Sequence, residues 1–200
     1  MDLILDKYGE KKNYKKGEML FNNGYWPKGV YKILYGKVKI FACGDEGKEN
    51  IIHIASKSEI IGFRAMLSGL PYKVSAKTLE ECCIQYIPKS DFMILMDSND
   101  SFRNKVIVRL SRELGERALF TTTMSQKTVR ARLAVSLIQL NDIYHGPISL
   151  SRDDLANFIG TATENLIRTL KQFKTEKLIE FKGRTIYIIN IDKLNHIGKD

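Results

Sequence analysis

Residues 150–179 read LSRDDLANFIGTATENLIRTLKQFKTEKLI. In this stretch Ser151-Arg152-Asp153-Asp154 has the form of a helix-capping box, a hydroxyl followed three residues later by a carboxylate. It opens a short amphipathic segment through Leu155, Ala156 and Ile159, and Gly160 ends it. Thr161-Ala162-Thr163-Glu164 repeats the box at once and opens a second segment. There Leu166, Leu170 and Phe173 recur at the spacing of one buried helical face. Two helices joined by a tight glycine-containing turn make a helix-turn-helix. Just beyond, Leu178–Phe181, the turn Lys182-Gly183-Arg184 and Thr185–Ile188 predict a small β-hairpin, the wing of a winged helix.

Working outward, residues 125–200 form one compositional block. Ser125 is the expected cap of a helix carrying Val129, Leu133, Leu137 and Leu140 on one stripe, ending near His145-Gly146-Pro147. Upstream, residues 98–124 contain no proline and a single glycine, Gly115. Ser98-Asn99-Asp100 is a plausible cap, and Ile107, Leu110, Leu114, Arg117, Thr121 and Met124 recur every three or four residues. That pattern predicts a long helix pairing with its twin in a homodimer, although Gly115, Arg117 and Thr121 are poor seam residues. The competing reading lays the helix on its own chain.

Residues 14 to about 97 read as short strands cut by glycines. In VYKILYGKVKIF (30–41), Val38 and Ile40 alternate with Lys37 and Lys39, the period of a half-buried strand. Gly44-Asp45-Glu46-Gly47 is the expected turn into a return strand, Glu49–Ile54. Repeated strand–turn units of this kind predict a barrel or sandwich. The domain expectation is therefore a sensing β-barrel over 1–97, a dimerisation helix over 98–124 and a winged helix over 125–200.

Composition narrows the functional classes. With 44% hydrophobic and 28% charged residues the 200-residue chain has an ordinary globular balance. It offers no membrane-spanning run, and the opening MDLILDKYGEKKNYKKGE lacks a signal-peptide pattern, so a cytoplasmic protein is expected. A net charge of +9 favours an anionic partner such as nucleic acid. The excess is spread out: residues 1–124 hold 20 Lys+Arg against 15 Asp+Glu, and residues 125–200 hold 12 against 8. The three cysteines, Cys43, Cys82 and Cys83, form no CxxC pair and predict no disulfide framework. Adjacent Cys82 and Cys83 would face opposite sides of a strand, one core and one exposed.

Glu164, Arg168 and Lys171 share a second stripe of the last helix, with Thr163 beside them. The second helix of a helix-turn-helix lies in the major groove with its N-terminal residues against base edges. Arg can donate bidentately to guanine, and a carboxylate can accept from cytosine N4. Lys171, Lys182 and Arg184 suit phosphates, and Ser151 at the start of the first helix joins the DNA-facing candidates. The plainer alternative makes Glu164 only the N3 residue of a capping box, bridged to Arg168 across one turn in solvent.

The order of barrel, long helix and winged helix resembles the Crp/Fnr family of bacterial transcription regulators. The resemblance runs through KGEMLFNNG (16–24), VYKILYGKVKIF, GDEGKENIIHI (44–54), EIIG (59–62), VSAKTLE (74–80), RLAVSLIQL (132–140) and the opening stretch. It implies an α+β chain with a cyclic-nucleotide-binding-like jelly roll. It assigns Glu164 and Arg168 to base reading, and places Thr163 where some members carry another base-contacting Arg. It also implies double-stranded DNA with an inverted-repeat site, a second copy of the chain and RNA polymerase as partners.

The effector end departs from the pattern. Cyclic-AMP-binding members follow the loop's Ile-Gly with Glu and later carry Arg-Ser; here Phe63 follows Ile61-Gly62 and Leu70-Pro71 stand in the later place. A phosphate without such donors would be poorly held, so cyclic AMP is not expected. Three cysteines, none before Cys43, do not supply the four thiolates of an iron–sulfur cluster. A haem-based sensor, with His53 as its ligand, is a remaining alternative. Phe63, Arg64 and Arg117 are the candidate residues for an unknown, anionic small effector; for Arg117 the alternative is a bridge to Glu113 or Glu116. Two readings from other classes stand beside this one. The first is a ligand-binding or protein-interaction module whose winged helix does not touch DNA. The second is an enzyme, which no HExxH, GxSxG or acidic cluster supports.

Overall fold

The computed structural model describes residue 5, residues 7–44 and residues 47–199. The chain divides into two compact units, one built from residues through Cys43 with Ile52–Arg117, the other from Gly44–Ile51 with Ala118 onward.

The first unit is a roll of two four-stranded sheets. Strands β1 (Glu10–Tyr14), β3 (Gly29–Tyr35), β6 (Ile60–Ile61) and β8 (Cys82–Pro88) form one sheet in the order β1-β8-β3-β6. Strands β2 (Met19–Phe21), β4 (Val38–Cys43), β5 (Glu49–Ala55) and β7 (Ser75–Thr78) form the other in the order β2-β7-β4-β5. Consecutive β3 and β4 lie in different sheets, so the chain crosses between layers at Gly36-Lys37. Only glycine fits there: Gly36 has φ 89°, and a Cβ would lie 2.4 Å from Cys82 Sγ. Ile33, Val38, Ile40, Ile61, Ala76 and Ile84 close one core between the sheets. Lys39 departs from the expected alternation. It is buried with its ammonium 5.0 Å from the Phe41 ring centroid, and β4 is covered along most of its length. Asp45 and Glu46 of the expected turn lie outside the described residues.

Three helices not expected from the strand-like reading shape the fold: α1 (Phe63–Ser68), α2 (Lys89–Ser98) and, at the far end, α7 (Ile191–Ile197). The helix α3 (Asp100–Gln126) is capped by Asn99, whose Oδ1 accepts from the Phe102 N–H at 2.9 Å. Phe102, Val106 and Leu110, spaced by four, turn into a second core with Phe63, Met66, Phe92 and Leu95. The Phe92 and Phe102 rings meet edge to face at 5.4 Å. Leu110 is therefore a docking residue on its own unit rather than a seam residue. Ile107, Val108, Leu114 and Leu119 are left exposed, Leu114 at 71% and Leu119 at 72%.

The second unit carries α4 (Val129–Tyr144), α5 (Arg152–Ile159), α6 (Thr163–Thr175), β9 (Ile179–Lys182) and β10 (Thr185–Ile188). Ser125 does not cap α4. It belongs to the last turn of α3 and donates back to the Thr122 carbonyl at 3.1 Å, while Thr128 Oγ1 accepts from the Ala131 N–H at 3.2 Å and is the cap. Leu133, Leu137 and Leu140 of the predicted stripe are fully buried, together with Ala134.

Candidate nucleic-acid interface and sensing cluster

Helix α5 opens on Ser151, whose Oγ accepts from the Asp154 N–H at 3.0 Å and donates to the Asp154 carboxylate at 2.6 Å. It ends at Gly160, which takes a left-handed φ of 66°. Arg132 of α4 buttresses this turn by donating to the Gly160 carbonyl at 3.3 Å and to the Met124 carbonyl at 3.1 Å. The second capping box does not form. The Thr161 N–H closes on the Ala156 carbonyl at 3.0 Å, which draws Thr161 inward and buries it. Helix α6 consequently starts one residue later, from Ala162, which has no side-chain acceptor. Glu164 is thus the second helical residue, and Thr163 Oγ1 donates to Asp153 at 2.9 Å, tying the two helices together at the turn.

Leu166, Thr169, Leu170 and Phe173 bury one face of α6. The opposite face presents Glu164, Arg168 and Lys171 to solvent. The solvated bridge between Glu164 and Arg168 is absent among the described residues. Arg168 instead donates to Asn165 Oδ1 at 2.9 Å, which holds the guanidinium along the outer face without neutralising it. Sequence reasoning missed Ile167, an isoleucine exposed at 39% on this face. Its spacing from Glu164 and Lys171 was available as a signal, and an apolar side chain there suits a thymine methyl. Asn165, which orients Arg168, was missed as well.

The wing packs against the end of α6. The Leu178 N–H closes on the Phe173 carbonyl at 2.9 Å, and Lys174 pairs with Glu180 at 2.8 Å. Thr185 pairs with Lys182 across Gly183-Arg184, so Lys182 and Arg184 stand exposed at its tip. Arg130 holds Glu176 bidentately at 2.9 and 2.6 Å and lies 4.9 Å from the centroid of Phe173, fixing the helix from beneath.

The effector candidates separate in the structure. Phe63 is a core side chain, 3% exposed, with the Arg109 guanidinium 5.8 Å from its ring centroid. Arg64 belongs to an ionic chain in the first unit, and Arg117 lies one helical turn beyond that chain's Glu113 on α3. Glu59 Oε2 meets His53 Nε2 at 2.9 Å and Arg109 at 3.1 Å, while Glu59 Oε1 accepts from the Ser56 N–H at 2.8 Å. Arg109 reaches Glu113 at 3.0 Å, and Glu113 reaches Arg64 at 3.5 Å. Burial pushes the Glu59 carboxyl up, but the His53 and Ser56 hydrogen bonds and the Arg109 charge outweigh it and leave it below its ordinary value. Arg117 is held below its ordinary value by burial and then by Arg64, with Glu113 opposing. Glu113 was anticipated only as a bridge partner of Arg117, a bridge not found among the described residues; Arg109 and Glu59 were not anticipated, and Glu59 is joined to Arg109 by the fold alone.

Aromatic side chains line part of the interior of the roll. Phe21 and Tyr72 stack at 4.0 Å, with Tyr31 5.7 Å from Phe21. Burial pushes the Tyr31 phenol up to about 12 and raises Tyr72 as well. Leu70 is exposed rather than turned inward. Cys82 is buried with its thiol raised by burial, Cys83 is half-buried and Cys43 exposed. Among the described residues no three His, Cys, Asp or Glu side chains come together to hold a metal ion.

A two-sheet roll, a long helix with a bare apolar flank and a winged helix whose second helix presents charged side chains to solvent are the parts of a DNA-binding regulator. Comparison with known proteins agrees. Residues 11–99 match the cyclic nucleotide-binding domain model and residues 131–197 the Crp-like helix-turn-helix domain model. The chain is 28% identical over 201 residues to the transcriptional activator protein Anr of Pseudomonas protegens, covering 95% of this chain and 81% of that one. It is 26% identical over 206 residues to the fumarate and nitrate reduction regulatory protein of Yersinia pestis, covering 99% and 81%. The fold of FixK2 from Bradyrhizobium japonicum superposes with a TM-score of 0.86 at 20% identity, over 94% of this chain and 96% of that one. The chain belongs to the Crp/Fnr family of transcription regulators.

Proposed function

We propose that the chain is a homodimeric, sequence-specific regulator of transcription that binds an inverted-repeat site in double-stranded DNA and is controlled by a small effector. The observation that carries this reading is the outer face of α6. Glu164, Arg168 and Lys171 are exposed on a helix whose other face is buried, and among the described residues Arg168 has no carboxylate to satisfy it. In this reading Arg168 and Glu164 read base edges, with Thr163 beside them. Lys171, Lys182, Arg184 and Ser151 contact phosphate.

The exposed Ile107, Val108, Leu114 and Leu119 support pairing of α3 with its twin, since isolated apolar side chains on a bare helix face gain from burial in an antiparallel or parallel pair. Functionally the chain then divides into an effector-sensing domain over 1–97, a dimerisation helix over 98–124 and a DNA-binding domain over 125–200. RNA polymerase is the further partner, the site of action is the cytoplasm, and the reading assigns the chain no enzymatic activity. Haem through His53 is disfavoured, because the His53 Nε2 is committed to Glu59.

Selection from random duplexes followed by footprinting tests the proposal. An inverted repeat with half-site centres about one helical turn apart, and an affinity falling steeply with salt, is the expected result. A single unrepeated half-site would refute the two-fold arrangement. Absence of any salt-dependent DNA binding would make the winged helix a protein-docking module.

A further inference from the structure

We propose that Arg132 is a positioning residue for DNA binding: its guanidinium ties the end of α3 to the turn of the helix-turn-helix and so sets the half-site spacing. This role presupposes the two-fold regulator proposed above.

Two helix ends meet at one side chain. Arg132 Nη1 donates to the Met124 carbonyl at 3.1 Å, and Nη2 donates to the Gly160 carbonyl at 3.3 Å. Met124 stands in the last turn of α3, and Gly160 caps the end of α5. The last carbonyls of a helix lack an intrahelical donor and carry the negative end of its dipole, which favours a cation there. A planar guanidinium with diverging N–H donors serves both ends at once, as a single ammonium on a flexible stem does not. Nε of the same side chain is buried without a hydrogen-bond partner among the described residues. Burying that donor is unfavourable, so the two carbonyl bonds hold the guanidinium there against a cost. The Met124 side chain packs on the same turn: a Cβ on Gly160 would lie 3.6 Å from Met124 Sδ. Met124, expected in the seam, thus faces the turn.

The position of this turn matters because α6 starts at Thr163, just after it. Whatever fixes Gly160 fixes the entry of the base-reading helix. Upstream on α3, Leu119 belongs to the bare flank that the regulator reading pairs with its twin. Leu119, Met124, Arg132 and Gly160 all lie in one compact unit. Arg132 therefore joins the pairing helix to the reading helix. Arg130 holds α6 from its other end through Glu176 and makes no hydrogen bond or ion pair with α3 among the described residues. Two-fold binding requires the two reading helices to match the distance and phase of two half-sites. A loose joint between pairing and reading helices accepts several spacings; a fixed one accepts a single spacing.

The test uses the full chain and the selected inverted repeat, with one base pair added or removed at its centre, titrated by fluorescence anisotropy. One pair shifts a half-site by about 3.4 Å and turns it by about 34°. The unsubstituted chain should prefer the parent spacing by about tenfold or more. Arg132→Gln should cut that preference to about threefold or less, while discrimination among bases within a half-site is kept. Arg132→Lys should fall between the two, and Arg130→Gln should retain the spacing preference. A merely structural role would weaken binding to every duplex alike and leave the spacing ratio unmoved. Thermal unfolding identifies any variant that fails to fold; if Arg132→Gln does, Arg132→Lys decides. An unchanged spacing ratio in the folded variant, or loss of base discrimination along with spacing, overturns the proposal. If the unsubstituted chain itself shows no spacing preference, the two-fold regulator reading fails and this role with it. A preference that survives the substitution counts against Arg132 alone.

Discussion

Replacing Arg168 with Ala separates a base-reading side chain from a structural one. In the structure Arg168 is exposed and makes one side-chain hydrogen bond, to Asn165 at 2.9 Å, with no carboxylate partner. Removing it leaves no buried charge and opens no cavity, so the folded chain should lose no more than about 0.5 kcal/mol. At DNA the expectation is different. A bidentate contact to one guanine contributes roughly 1–3 kcal/mol of discrimination, or about 5- to 150-fold. A two-fold site makes that contact once per subunit, and the two are too distant to couple, so the loss on a symmetric operator is about 2–6 kcal/mol. The assay is fluorescence anisotropy against a set of duplexes carrying every base at each position of the selected half-site. The loss should concentrate at one symmetric pair of positions, where the variant binds all four bases alike, while the slope of affinity against salt is almost unchanged. A uniform loss across all duplexes, with a shallower salt slope, would make Arg168 a phosphate contact. A fall in thermal stability of several degrees would mean that the Asn165 contact matters to the fold, and the assignment of the outer face would fail.

Leu114→Arg combined with Leu119→Arg should turn a dimer into a monomer by sedimentation while leaving the unfolding transition of the monomer within about 0.5 kcal/mol, since both side chains are largely exposed. Ser151→Ala removes the hydroxyl that caps α5 and should cost about 1 kcal/mol, read as a fall of about 4–8 °C in the unfolding midpoint of the winged-helix unit. Glu59 should give the first unit an acid-sensitive tie. Its native carboxyl lies below the ordinary 4.5, so its stabilising contribution is complete above about that pH and is lost as pH falls through the lower native value. Glu59→Gln should lower stability at neutral pH and flatten this acid limb in pH-dependent unfolding; an unchanged limb would remove Glu59 from the account.

The winged helix was legible because each of its signals is local. Ser151 and Asp154 are three apart, Gly160 ends one helix, and Leu166, Leu170 and Phe173 mark a face by spacing alone. What failed there failed through competition for a single backbone group. The Thr161 N–H caps the end of α5, and that commitment turns the side chain inward and costs Thr161 its expected role at the start of α6. The same logic explains Ser125. Helix α3 does not stop where the apolar pattern thins, since nothing between Met124 and Gln126 forces it to, and the cap passes to Thr128. In the first unit, α2 was hidden in a short apolar run flanked by serines, Ser90 and Ser98, where strand and helix periods are hard to tell apart. Lys39 misled for a different reason: a lysine stem buries readily when its ammonium can reach an aromatic face.

The two candidate sites differ in legibility for a physical reason. A recognition face is one-dimensional: its side chains come from a single helix, and the period of that helix lists them in order. The ionic chain is assembled from β5, the turn carrying Glu59, α1 and α3; the spacing of Arg109 and Glu113 announces their pair along one helix, but nothing in the spacing of His53, Glu59 and Arg64 announces that they join it. Arg64 could be singled out only as a lone cation near an expected pocket; its pairing with Glu113, which the spacing offered to Arg117 instead, could not. Leu110 shows the same limit within one helix. Its spacing fits an outward seam as well as an inward stripe, and the choice is made by Phe102 and Val106, which draw Leu110 against Phe92 and Leu95. That choice rotates the bare flank of α3 toward Ile107, Leu114 and Leu119. It also sets Arg109, one residue from Leu110, within reach of Glu59. The docking of one apolar stripe therefore fixes both the surface available for pairing and the ionic chain beside it, and a perturbation of either should be felt by the other.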